Sequence, residues 1–94
     1  MNALIFSQSA IFRLQQLATH YYHHTGVRHK LANEDGILEL LQFSSLETNR
    51  NVRNAYDAFV NELNKRQIDA LTKKGVSLRL PLQAAASISQ VMRG

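Results

Sequence analysis

His20, His23, His24 and His29 fall within one ten-residue window of this 94-residue chain. On a helix, His20 and His24 stand four apart and His20 and His23 three apart, so two or three imidazoles share a face. That spacing suits zinc, nickel or copper, and Glu34 or Asp35 is near enough in sequence to add oxygen. A simpler chemistry competes with it. An imidazolium is stabilised at the negative end of a helix dipole, which accounts for histidines at a helix C-terminus without any metal. Cysteine is absent and no HExxH pattern occurs, so neither thiolate ligands nor a zincin-type helix supports a metal centre. The sequence therefore favours solvated histidines at a helix end, with no metal and no cofactor.

Catalytic patterns are similarly sparse. There is no glycine-rich phosphate loop and no nucleophile elbow. Ser7, Ser44 and Ser45 lie where helices are expected to start or stop, and the acids fall in first turns or helix pairs. No catalytic residue and no small-molecule substrate is expected, and the reading is non-enzymatic.

Charge gives a stronger signal. The formal net charge is +4, and it sits in the second half. There, Arg50, Arg53, Lys65, Arg66, Lys73, Lys74, Arg79 and Arg93 face only Asp57, Glu62 and Asp69. Such a half can meet phosphate or an acidic protein surface. Arg50, Arg53, Asn54, Asn61, Lys65, Lys73, Lys74 and Arg79 are the candidate nucleic-acid contacts, because arginine and asparagine read base edges and lysine meets phosphate. Asp57 interrupts that face, and no helix-turn-helix spacing supports it.

These residues need helices to position them. Ser7 caps a first helix whose apolar positions Ala10, Ile11, Leu14, Leu17, Ala18, Tyr21 and Tyr22 follow the helical period, with Phe6 and Ile11 at the staple positions. Gly26, after Thr25, stops it. Val27 to Ala32 is a connector. Asn33, with Glu34 and Asp35 behind it, opens a second helix over about 34–44, apolar nearly all round.

A third helix starts at Ser44, paired with Glu47 as a capping box, or later at Thr48 or Asn49. It carries Val52, Ala55, Tyr56, Phe59, Val60 and Leu63 in one stripe and runs, with support from Glu62 and Arg66, towards Gly75. Gln67 would fall inside that stripe, which predicts either a break around Asn64–Arg66 or a second apolar contact by Ile68. Residues 76–80 alternate as extended chain ahead of Pro81, and a small-residue helix is expected over about 81–92.

The fold expected is all-α, a small bundle of about four helices with a short extended segment near 76–80, in a single helical domain over 1–94. Leu14, Leu17, Leu40, Leu41, Phe59 and Leu63 form its expected core. No apolar run reaches the length of a membrane span and no signal-peptide pattern opens the chain, so no membrane partner and a cytoplasmic location are expected. Phe12 falls opposite the first helix's core stripe, and the second helix has more apolar surface than one core contact uses. Phe12, Ile37, Leu38 and Phe43 are thus the expected partner interface, for a homodimer or another protein. The function expected is a helical interaction module, a small regulator, adaptor or inhibitor. The alternative is a basic nucleic-acid-binding protein using residues 50–79.

Overall fold

The computed structural model describes residues 5–78. Over these the chain is all-α, with four helices: α1 (Gln8–Thr25), α2 (Glu34–Ser44), α3 (Arg50–Asn61) and α4 (Lys65–Lys73). Among the described residues no strand occurs, and no helix is long and apolar enough to cross a membrane.

The ends of α1 lie where the caps place them. The Ser7 hydroxyl accepts from the Ala10 N–H at 3.1 Å, satisfying one of the donors a helix start leaves open. Gly26 takes the left-handed conformation at φ 76° and its N–H donates to the Tyr22 carbonyl at 2.7 Å. Asn33 precedes α2 without a side-chain cap bond, so the start relies on Glu34 and Asp35 against the helix dipole. Gly36 is needed for a steric reason: a Cβ there would run into the Lys30 carbonyl oxygen. The connector crosses the first turn of α2 at that point.

The third helix departs from the expectation at both ends. Ser44 belongs to the end of α2, where its buried hydroxyl bonds back to the Leu41 carbonyl, so Ser44 and Glu47 form no capping box. Asn49 is the cap instead, its side chain accepting from Asn51 and Val52. The expected break does occur, slightly earlier than Asn64–Arg66, with α3 closing at Glu62. Glu62 consequently caps the end of α3 while Arg66 lies in α4, and the two are not a helical pair.

Asn64 opens α4 through a full capping box: its side chain accepts from the Gln67 N–H at 2.8 Å, while Gln67 accepts from the Asn64 N–H at 2.9 Å. Gln67 also donates to the Ile5 carbonyl at 2.9 Å, tying α4 to the chain entering α1. The glutamine that would have spoiled the stripe is thus the residue that ends it.

The principal contact is α1 against α3, with α2 also packed on α3. Phe6 ahead of α1 meets Phe59 late in α3, while His24 at the other end of α1 meets Glu47 just before α3, so the two run antiparallel. Leu14, Leu17, Leu40, Leu41 and Phe59 are buried together with Val52, Tyr56 and Leu71. Leu63 is only half-buried, because it lies in the turn after α3 and precedes the new cap. Gly75, at φ 93°, turns the chain after α4, and Val76 folds back under it, its N–H donating to the Leu71 carbonyl. Residues 76–78 have no regular structure. The rest of the extended segment, Arg79 and the helix expected over about 81–92 lie outside the described residues.

Candidate interaction surface

Burial of Ala10, Leu14, Leu17 and Tyr21 fixes the rotation of α1 and turns the opposite side to solvent. That side carries Gln8, Phe12, Gln15, Thr19 and Tyr22, all exposed, at steps of four, three, four and three. This is the spacing of a helix seam. Phe12 is 54% exposed, with the Arg13 guanidinium 5.9 Å from its ring centroid. Among the 18 residues of α1, Arg13 is the sole Lys, Arg, Asp or Glu, and it hydrogen-bonds to Gln16 at 3.2 Å.

Two clefts run between α1 and the connector. One, of about 530 Å³, is lined by Phe6, Ile11, Leu14, Gln15, Leu31 and Ile37 among others. The second, of about 360 Å³, includes Gln15, Ala18, Thr19, Tyr22, Arg28 and Leu31. Gln15 and Leu31 line both, so the clefts adjoin along the helix. The Arg28 guanidinium stacks 4.3 Å from the Tyr22 ring, and both line the second cleft.

The other expected interface residues divide. Ile37 and Leu38 are half-buried and pack against the core, so much of the surplus apolar surface of α2 is used inside the protomer. Phe43 is 48% exposed, and Leu46 beyond it is more exposed still. Of the four expected interface residues, Phe12 and Phe43 are thus exposed and Ile37 and Leu38 half-buried.

The histidines separate as well. His23 is exposed, His20 half-buried, and His24 Nε2 lies 3.1 Å from Glu47 Oε1. His29 is different: its side chain is 5% exposed, placed between the Tyr21 and Phe43 rings at centroid distances of 5.4 and 6.4 Å. Its Nε2 is 3.9 Å from Glu39, and its buried Nδ1 has no hydrogen-bond partner. Among the described residues no group of three His, Asp or Glu is placed to hold a metal ion. Tyr21, beside His29, has its hydroxyl pushed above the ordinary tyrosine range by burial, with the Glu47 carboxylate adding to the effect and hydrogen bonding with Thr25 opposing it.

The basic residues spread over two helices rather than one. Arg50, Asn54 and Asn61 are exposed on α3 with the half-buried Asp57 between them, and Arg53 is half-buried. Lys65 and Lys73 stand exposed at opposite ends of α4. Lys74 Nζ binds Glu34 Oε2 at 3.2 Å, which commits it to holding α4 near α2.

Sequence reasoning missed the inward placement of His29. The signal was available in Arg28-His29-Lys30-Leu31, where charged residues alternate with His29 and Leu31. Both cations are exposed and the other two turn inward. Comparison with protein-family models, with curated proteins and with solved structures finds no match to this chain.

Proposed function

We propose that this chain is a non-enzymatic helical interaction module, a small regulator, adaptor or inhibitor that acts in the cytoplasm through protein contact. The observation that carries the reading is the outward side of α1, where Phe12 stands exposed and the exposed Ile11 and Tyr22 line adjoining clefts shared with Leu31. Exposed aromatics beside a groove are the usual anchors of protein recognition. An isolated exposed apolar residue would need no explanation, but a seam and clefts on one side of one helix do.

The alternative, nucleic-acid binding, draws on Arg50, Asn54 and Asn61 standing exposed on α3. The two readings respond differently to salt and to nuclease. Protein capture from native extract should survive nuclease and be lost with Phe12→Asp. Binding to mixed duplex DNA or RNA should be absent. Binding that falls by about 10³-fold or more between 50 and 200 mM salt, through phosphate counterion release, would replace this reading with the alternative.

A further inference from the structure

Resting on the interaction-module reading, we propose that the two adjoining clefts between α1 and the connector bind one extended acidic segment of a partner protein. Its Asp or Glu carboxylate meets Arg28, and a large apolar side chain a few residues away packs among Ile11, Leu31 and Ile37.

Charge at the second cleft selects the ligand group. The Arg28 guanidinium lies 4.3 Å from the Tyr22 ring centroid, and both residues line this cleft. Among the described residues Arg28 makes no ion pair, whereas Glu34, Glu39 and Glu47 already face Lys74, His29 and His24. Stacking on an aromatic face leaves the N–H edge of a guanidinium open, and that edge matches a carboxylate. An arginine held by its neighbour also loses less freedom when it binds. No Asp or Glu among the described residues lines this cleft, and the exposed His23 does. An anionic group is therefore the complement here.

The first cleft selects against a polyanion. Its walls are largely apolar, from Phe6, Ile11, Leu14, Leu31 and Ile37, and among the described residues Glu34 is the charged group that lines it. A run of phosphates would leave its charge against apolar surface and then meet a carboxylate. One carboxylate followed by an apolar side chain suits both clefts. Gln15 and Leu31 line the two and join them into one track, and the exposed Gln15 amide offers a donor and an acceptor to a peptide backbone. From Ile11 to Tyr22, α1 rises about 16 Å at about 1.5 Å per residue. An extended peptide covers that length in about five residues at about 3.3 Å each. The ligand class is thus a short extended segment with an acidic residue and a large apolar residue about three or four positions apart.

The test uses capped, fluorescently labelled octapeptides with one Glu and one Leu at spacings of two, three or four residues in a Ser/Gly background, read by fluorescence anisotropy. Spacings of three or four should bind with a Kd below about 1 mM. Replacing the peptide's Glu by Gln, or its Leu by Ser, should weaken binding by at least about fivefold. In the protein, Arg28→Glu should weaken it by at least about tenfold and Ile11→Ser by about fivefold, each with an unchanged circular dichroism spectrum. Arg66→Glu on α4 alters net charge equally and should leave binding within about twofold of wild type.

No binding by any peptide of the set overturns the proposal, as do equal losses for Arg28→Glu and Arg66→Glu or undiminished binding of a peptide with Lys in place of Glu. Mixed-sequence single-stranded DNA that displaces the peptide from wild type, and binds Arg28→Glu poorly, assigns the clefts to phosphate and overturns it too. Failed peptides, with capture of protein from native extract still dependent on Phe12, overturn this assignment alone. Capture that survives both Phe12→Asp and Arg28→Glu overturns the interaction-module reading with it.

Discussion

Phe59→Ala is the sharpest perturbation of the packing. Phe59 is fully buried on α3, and the Phe6 ring meets it edge-on, 5.6 Å between centroids at 75°. Truncation removes a large apolar transfer contribution and leaves a cavity, together about 3–5 kcal/mol. The edge-to-face pair accounts for about 0.5–1.5 kcal/mol beyond area. A chain of this size has a total stability on the order of 5–14 kcal/mol, so the variant should lose a large share of it. Urea denaturation followed by circular dichroism reads the change as a lower midpoint at constant slope.

Phe12→Ala supplies the contrast. Phe12 is more than half exposed, and its truncation should shift stability by no more than about 0.5 kcal/mol. A double cycle of Phe59→Ala with Phe6→Ala should return a coupling of about 0.5–1.5 kcal/mol. Equal losses for Phe59→Ala and Phe12→Ala, or a loss under about 1 kcal/mol for Phe59→Ala, would refute the rotation assigned to α3.

Three further outcomes are expected. Gly36→Ala should destabilise by about 1–3 kcal/mol, because the Lys30 carbonyl is backbone and cannot step aside; thermal melting that matches wild type would contradict the crossing of the connector over α2. Asn64→Ala removes the cap of α4 and should lower stability by about 0.5–2 kcal/mol, with faster hydrogen exchange confined to the α4 amides. For Tyr21, the folded hydroxyl titrates above 10.0, so the folded state holds this proton more tightly than the unfolded chain. Its contribution is complete below pH 10 and is lost as pH rises through the raised folded value. Wild type should therefore lose more stability than Tyr21→Phe between pH 9 and 11, and parallel pH profiles would show that the burial assigned to Tyr21 is wrong.

The helices were legible because their signals are local. Ser7 and Gly26 bound α1 by chemistry confined to a few residues, and the apolar stripe of α3 identifies Phe59 as core without knowledge of its partners. The end of α3 was half legible. Periodicity placed a fault at Gln67, yet the pattern Asn64-Lys65-Arg66-Gln67 is itself a capping-box signature and locates the new helix start to the residue. Ser44 with Glu47 has the same spacing and forms no cap, because a serine buried at a helix end satisfies its hydroxyl on the carbonyl behind it. Spacing alone does not distinguish the two cases; burial does.

The surface was less legible for a related reason. Whether an apolar residue of α2 is free depends on how much of the helix its own protomer covers, and that is a tertiary quantity. Ile37 and Leu38 pack against the core while Phe43 remains half exposed, although all three looked equivalent in sequence. On α1 the question was simpler. A single partner, α3, supplies its principal contact, so the residues opposite the buried stripe are necessarily outward. Phe12 was therefore assignable from the helical period, whereas the clefts between α1 and the connector were not, because Leu31 reaches them through a segment that carries no periodic helix signal. An exposed aromatic is readable from one helix; a cleft requires the chain to return.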